Sequence, residues 1–553
     1  MKKTIPTMLL IAAFAANAGA QTVADALRFG DNNYYGTARS ISMGNAFTAL
    51  GGDLGSITIN PAGSAVNNFS QVTVTPNLSI ISSSAGYNSV PSQSDEYGST
   101  SSNSELRFTI PNVAFTLNYK TGAKRGLKNI TFGVMANATS NYLDNMSAGG
   151  RNVATTFAGA LASQMTGAPS SALNGKDAYY NTNYPWNQIT VWQSGIASNY
   201  GSQNTDYIGV TEKLIDNGDG TQTIQLADAI DQMYGRKAHG NKYDIVVNLG
   251  MNFSDRFYAG ANIGIVSIDY KRNEYFKEYA ANPDNFLIDY GDGKSTHFSD
   301  LRYRYAYDMQ GAGIYAKFGF IAVPVNGLRI GAAIQTPAAN FITEHWQHAG
   351  ETYYTDSGYN SSATSPKGEY KYKFVSPYRF NVGVAYTFGH IGLVSADYEL
   401  CDYSTMKFRE TETNDNSVFD KGVNLDIKDY AGPAHTLRIG AEIKPVSSLA
   451  IRAGYNFSTS AERDYRIVEK RDNAGNVYTK EEKYTPKAYR HSFSAGVGYS
   501  SEGSFFCDLA LRGTKYPYEY LYPYDTYIDG ELSPEIRNSR RLWDIAFTFG
   551  WRF

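Results

Sequence analysis

The carboxyl-terminal stretch LWDIAFTFGWRF divides cleanly between two faces. Trp543, Ile545, Phe547, Phe549, Trp551 and Phe553 fall on one, and Asp544, Ala546, Thr548, Gly550 and Arg552 on the other. Successive side chains of an extended chain point to opposite sides, so a period of two specifies a strand with one oily, aromatic face and one polar face. A soluble sandwich can bury such a face against a second sheet, whereas a membrane barrel turns it toward lipid.

The amino terminus favours the second arrangement. MKKTIPTMLLIAAFAANAGA has a basic start at Lys2 and Lys3, an apolar middle and the small-residue pattern Ala18-Gly19-Ala20, which together read as a cleavable secretory signal with the mature chain beginning at Gln21. No later stretch approaches the roughly 18 apolar residues of a membrane helix, and mean hydropathy is −0.38. With only two cysteines, Cys401 and Cys507, disulfides do not staple this exported chain of 553 residues. A net charge of −3 and the lack of any Lys/Arg-rich run argue against nucleic-acid binding.

The alternation recurs. Tyr243, Ile245, Val247, Leu249, Met251 and Phe253 share one face, while Leu437, Ile439, Ala441 and Ile443 lie opposite Arg438, Gly440, Glu442 and Lys444. Short connections (254–256, 324–327, 389–392, 445–448 and 500–503) alternate with long polar ones, as periplasmic turns alternate with outer loops. Segments of barrel length number about fourteen, the even count a single-chain bacterial barrel requires. The fold class is therefore all-β, a transmembrane antiparallel barrel over 69–553. Pro111 and Pro377 fall inside predicted strands and mark bulges or breaks, because proline donates no ladder hydrogen bond. The final strand, with Phe549, Trp551 and Phe553 at alternate positions, resembles the terminal signal of bacterial outer-membrane barrels; that likeness implies the barrel assembly machinery and outer-membrane lipids as partners.

A barrel of this size encloses more room than its wall side chains fill. Residues 21–68 alternate too weakly for strands and are rich in small residues, so they are expected to form a plug inside the lumen. Within them, LGGDLGSITINPAGSAV places Asn60 as a helix N-cap and Pro61 at the first helical position. GNAFTALGGDLGSITINPAGSA, with Asn60, Pro61, Ala62 and Gly63, resembles the hatch of the FadL family of outer-membrane transporters of long-chain fatty acids and hydrocarbons. The architectural likeness extends over nearly the whole mature chain; the likeness in motif is confined chiefly to 36–63. It implies passive transport: a hydrophobic ligand is caught in an outer groove, passes to an interior pocket beside the hatch amino terminus, and leaves sideways through a gap in the wall. Relatives carry that gap at an early strand, which makes the strand ELRFTIPNVAFTLNYK around Pro111 the candidate here.

The connection 144–239 is too long for an ordinary loop and is expected to have its own structure. ATTFAGALASQM predicts a helix with Phe157, Leu161 and Met165 on one side, and LADAIDQMY a second with Leu226, Ile230 and Met233; Trp186 and Trp192 lie between them. Phe157, Leu161, Met165, Trp186 and Trp192 either form a capture surface for an apolar ligand or pack the loop onto the barrel rim, since any long loop needs a small core.

Other chemistry is thin. His345 and His348, three apart on a strand, point to opposite faces and make a poor metal or haem pair. Asp397, Glu399, Asp508 and Arg512 read as lumen ion-pair members, with Arg329, Arg379, Arg438 and Arg452 as partners, rather than catalytic groups. No nucleophile and base are arranged as in a hydrolase, and no cofactor or metal is implied. Three readings stand: a transporter of fatty acids, hydrocarbons or similar lipophilic molecules; a haem-binding surface receptor; and a barrel adhesin or enzyme.

Overall fold

In a computed structural model of the chain, the described residues are 21–553 except 182–183, 202–203, 292, 412, 414 and 472–476. The signal segment 1–20 lies outside them. Fourteen antiparallel strands form one closed ring. They are β1 (Gln71–Asn88), β2 (Ser99–Lys120), β3 (Leu127–Asn141, resuming at Asp144–Gly150), β4 (Ile230–Phe253), β5 (Phe257–Ala280) and β6 (Lys294–Ala322). Next come β7 (Leu328–Gln335 and Ala339–Tyr354), β8 (Gly368–Val375 and Arg379–Phe388), β9 (Gly392–Asp402 and Lys407–Glu410) and β10 (Pro433–Val446). The ring ends with β11 (Leu449–Ser458), β12 (Arg490–Ser500), β13 (Phe505–Lys515 and Glu519–Leu521) and β14 (Glu535–Arg552). Each strand pairs with its sequence neighbours, and β14 returns to β1 with Arg552 opposite Gln71. Closure leaves no second sheet to cover the apolar faces, which excludes the sandwich.

The faces are inverted relative to a soluble protein. On β14, Trp543, Phe547 and Trp551 stand outward at 47%, 45% and 46% exposure, whereas Asp544, Ala546 and Thr548 are fully buried. An apolar exterior around a polar interior is stable only where lipid replaces water outside. Among the described residues no helix is long and apolar enough to cross a membrane. The chain therefore crosses as strands, and it is a β-barrel of the bacterial outer-membrane type.

The strands extend well past the bilayer at one end. A membrane strand needs about 9–11 residues, but β4 and β5 have 24 each and β6 has 29. This extension corrects the helix expected over 226–233. Leu226 ends a short strand, Gln222–Leu226, while Ile230 and Met233 lie in β4, paired to Ala280 and Lys277 of β5. Cross-strand pairing overrides a weak helical pattern there. The helix expected at Phe157 is present, over Phe157–Met165, with Thr156 as its N-cap.

Residues 21–67 are folded as two short α-helices, α1 (Val23–Gly30) and α2 (Ala38–Ser42), and two 3₁₀ turns, Leu54–Thr58 and Pro61–Val66. Their hydrogen bonds reach strands around the ring. Ala38 N donates to Thr548 Oγ1 of β14 at 2.7 Å, Thr48 N to Asp397 Oδ2 of β9 at 2.7 Å, and Lys317 Nζ of β6 to the Thr58 carbonyl at 2.7 Å. Glycines in the wall permit this proximity. A Cβ on Gly454 of β11 would sit 2.1 Å from Gly44 N, and one on Gly260 of β5 2.4 Å from the Pro61 carbonyl carbon.

Candidate functional site

Asn60 joins three parts of the molecule. Its Oδ1 accepts from Ala62 N at 3.1 Å, capping Pro61–Val66, while its Nδ2 donates to the Thr48 carbonyl at 2.6 Å and to the Phe320 carbonyl of β6 at 3.0 Å. Pro61 sits where a missing N–H costs nothing. Behind this cap, Gly63 lies against Gly51 and Gly52, and Gly52 N donates to the Gly63 carbonyl at 2.9 Å. Gly51 and Gly52 both have positive φ, 60° and 72°, a conformation that glycine adopts without a steric penalty. The Gly-rich bend and the Asn-Pro pair thus form one folded unit held against the wall.

Charges in the lumen are paired. Glu442 bridges Arg39 of α2 (3.0 Å) and Arg452 (2.6 Å), and Arg452 continues to Asp508 at 2.5 Å. Glu399 holds Arg379 and Arg438, each at 2.8 Å, and Arg512 holds Asp544 at 2.8 Å. Others find backbone instead of a charged partner: Asp397 takes Thr48 N, Arg329 donates to the Leu50 carbonyl at 2.5 Å, Lys317 to the Thr58 carbonyl at 2.7 Å and Lys242 to the Phe29 carbonyl at 2.9 Å. Groups engaged in this way fasten the amino-terminal segment to the wall.

Among the described residues the ladder between β2 and β3 is cut short, leaving a seam in the pairing. β2 and β3 pair from Lys120 opposite Asn129 up to Asn112 opposite Asn137, and among the described residues their ladder ends there. Pro111 is the next residue of β2. On its other side the β1–β2 register shifts, so that Pro76 alone faces both Ile110 and Pro111. Beyond Asn137, β3 serves the interior: Asn33 N donates to the Thr139 carbonyl at 2.6 Å and Tyr35 N to the Ala138 carbonyl at 3.0 Å. On its other side β3 keeps its ladder with β4 through Asn141, with a register shift between Ala138 and Ser140, and takes it up again at Asp144–Gly150. Among the described residues, contacts that involve side chains span the seam: Tyr243 Oη donates to the Ile110 carbonyl at 3.4 Å, Asn103 Nδ2 to Ser147 Oγ at 2.9 Å and Ser99 Oγ to the Gly149 carbonyl, Ser101 Oγ lies 3.0 Å from Ser147 Oγ, and Glu105 meets Lys237 at 3.0 Å.

Beside the seam lies a cavity of about 750 Å³. Its wall includes Leu27 and Arg28 of α1, Tyr142 and Asp144 of the diverted strand, and Tyr403 and Tyr516 opposite. The charges around it are largely matched: Arg236 lies 2.7 Å from Asp144 and 2.5 Å from Glu519, and Arg490 lies 2.6 Å from Asp31. Burial pushes the Asp31 carboxyl up, but Arg490, with Arg379 and Lys242, outweighs this and holds it below its usual range. Next to the cavity, Val23, Ala26 and Phe29 of α1 bury against an apolar cluster containing Tyr270, Phe374, Phe408, Phe419 and Ile427. The site is therefore an amphipathic chamber between α1 and a discontinuity in the wall.

The proposed capture residues lie elsewhere. Phe157, Leu161, Met165 and Trp186 are buried in the core of the outer loops, where the Phe157 ring is 4.9 Å from that of Tyr303 and Trp186 is 5.5 Å from Trp346. Trp192 packs on the same core, its Nε1 donating to Asn174 at 2.8 Å. Their side chains pack the loop and offer little open surface. His345 contacts Asp308 and Glu369 at 3.0 and 3.1 Å, and His348 is buried with its Nδ1 2.9 Å from Tyr303 Oη. Among the described residues no group of three His, Cys, Asp or Glu is placed to hold a metal ion.

Sequence reasoning missed Tyr243, Asn33 and Tyr35 as residues that shape the seam. The one available signal was the loss of alternation at ATSNYLDN, where β3 parts from β2 while keeping its pairing with β4.

The chain matches no family profile and no curated protein. Solved structures resemble it across nearly their whole length. A FadL homologue of Pseudomonas aeruginosa aligns at 12% identity and a TM-score of 0.49, covering 94% of this chain and 99% of its own. The toluene transporter TodX of P. putida aligns at 12% identity and 0.47, covering 95% and 99%. The toluene transporter TbuX of Ralstonia pickettii aligns at 15% identity and 0.44, covering 93% and 97%.

Proposed function

We propose that the protein is a passive outer-membrane channel for hydrophobic molecules, long-chain fatty acids or similar lipophilic compounds, which enter the chamber beside α1 and leave through the wall between β2 and β3. The observation that carries this reading is the end of the β2–β3 ladder at Asn112 and Asn137, beyond which the same strand β3 lines the cavity with Ser140 and Asn141. An apolar molecule released downward would have to pass residues 21–67 and enter water, forfeiting about 0.8 kcal/mol for each methylene it had buried. Lateral release keeps it in apolar surroundings. Residues 21–67 act in this scheme as the hatch, fastened by Asn60 and the Arg39–Glu442 pair, and the outer-loop core around Phe157 and Trp186 covers the entrance. The pathway involves no bond-making step, so the protein is not an enzyme in this proposal.

The test is uptake of a radiolabelled fatty acid and of an aromatic hydrocarbon by cells that do or do not express the protein. Expression should raise uptake of at least one in proportion to the outside concentration, without dependence on cellular energy. Equal uptake in both strains for a panel of lipophilic compounds would contradict the proposal.

A further inference from the structure

The foot of the barrel carries its charge unevenly. The β2–β3 turn and the adjoining β4–β5 turn, both at the short-turn end that faces the periplasm in outer-membrane barrels, bring together Lys120, Lys124, Arg125, Lys128 and Arg256. Asp255 is the acidic residue within these two turns, and it is already bonded to Lys128 and to Asn252 Nδ2 at 2.7 Å. The remaining short turns carry few charges: PVNG has none, PVSS none beyond the flanking Lys444, GHIG one histidine, and SSEG one glutamate.

Two further features define what the corner can hold. It is rigidly built, because Gly126 N donates to Ser254 Oγ and Ser254 N to the Gly126 carbonyl, both at 2.8 Å, locking one turn to the next. It also adjoins the lipid-facing surface. Lys128 follows Phe132 and Ile130 down the outward face of β3, and Phe132, Tyr119 and Phe257 stand 57%, 65% and 43% exposed just above the turns. A group bound here has its charge at the level of the turns and its apolar part against these rings.

We infer that this corner is a binding site for the headgroup of an anionic phospholipid of the periplasmic leaflet. The phosphate would lie among Lys124, Arg125 and Arg256, and the acyl chains along Tyr119 and Phe132. Basic residues at a membrane surface each contribute about 1 kcal/mol toward anionic lipid, and apolar residues immediately beside them favour a lipid over a soluble anion. The site lies at the foot of the same strands, β2 and β3, that part higher in the wall, and it stands independently of what the channel carries.

The experiment is native mass spectrometry of the detergent-solubilised full chain offered equal amounts of phosphatidylglycerol, phosphatidylethanolamine and phosphatidylcholine. The wild type should retain phosphatidylglycerol in preference to the others, and that preference should fall as ammonium acetate is raised. Lys124→Gln/Arg125→Gln/Arg256→Gln should lower the preference at least about tenfold, with heat-modifiable gel mobility unchanged. Should the triple variant fail to fold, Arg125→Gln alone, measured beside the wild-type salt series, replaces it and should also lower the preference. Inorganic phosphate at millimolar concentration should neither bind nor displace the lipid. Equal retention of all three lipids by the wild type, an unaltered preference in the variant, or displacement by phosphate would overturn the assignment.

Discussion

Asn112 of β2 and Asn137 of β3 form the last rung of the ladder between their strands, and Asn112 Nδ2 also donates to Asn137 Oδ1 at 3.4 Å. Above that rung β3 exchanges its neighbour in the wall for the backbone N–H groups of Asn33 and Tyr35. The opening between the strands and the docking of residues 21–67 are therefore two results of one diversion.

This relationship decides what Pro111 does. Proline removes one donor from β2, yet the strand it would bond to has already turned inward. Pro111→Val should therefore leave transport close to the wild-type level, because a restored N–H finds no carbonyl within reach. Uptake assays on cells with matched surface expression measure this. A collapse of uptake in Pro111→Val would mean that proline alone keeps the strands apart.

Asn60→Leu removes a cap and two donors from a residue that is fully buried. Loss of an N-cap costs about 0.5–2 kcal/mol, and the Thr48 and Phe320 carbonyls would each lose a partner. The amino-terminal segment should loosen while the barrel persists. Single-channel conductance in planar bilayers should rise above that of the wild type, with heat-modifiable mobility retained. Wild-type conductance would reduce Asn60 to a local turn residue.

The Arg39–Glu442–Arg452–Asp508 chain is a charged tie between that segment and the wall. Glu442→Gln leaves the partly buried Arg39 without its carboxylate and the buried Arg452 with Asp508 alone, and breaking a buried pair from one side costs up to about 3–5 kcal/mol. The midpoint of heat-induced loss of the folded band on gels should fall. Combining it with Arg39→Met should recover part of that loss, whereas equal or additive losses would show that the two residues act separately.

Phe157→Ala and Trp186→Ala test the outer-loop core. Each truncation empties a buried site and should cost about 3–5 kcal/mol locally. Residues 144–229 should become sensitive to limited proteolysis while β4 to β14 stay resistant, and any fall in uptake should accompany that sensitivity. Lost uptake with an intact, protease-resistant loop would restore these residues as direct ligand contacts.

The barrel was legible in the sequence because its signal is local and repeated. Alternation such as that of Trp543 to Phe553 is written residue by residue, and turn lengths give the rhythm of the ring. The outer parts of β4 to β6 were harder to see, since above the bilayer both faces carry mixed side chains and Ile230 to Met233 fits a helix as well as a strand. The seam was legible only as a proline in a strand. Its cause lies in Asn33 and Tyr35, about a hundred residues earlier in the chain, and no window along the sequence brings those residues beside Ala138 and Thr139.

The most direct test fixes the seam shut. Asn103 of β2 and Ser147 of the resumed β3 are already bonded across it, Nδ2 to Oγ, at 2.9 Å. Asn103→Cys/Ser147→Cys, in a Cys401→Ala/Cys507→Ser background, ties the strands together under oxidising conditions. Uptake of a hydrophobic ligand should be lost on oxidation and return to the level of the uncross-linked background when a reductant opens the disulfide. Uptake that continues unchanged with the cross-link demonstrably formed would contradict lateral passage between β2 and β3.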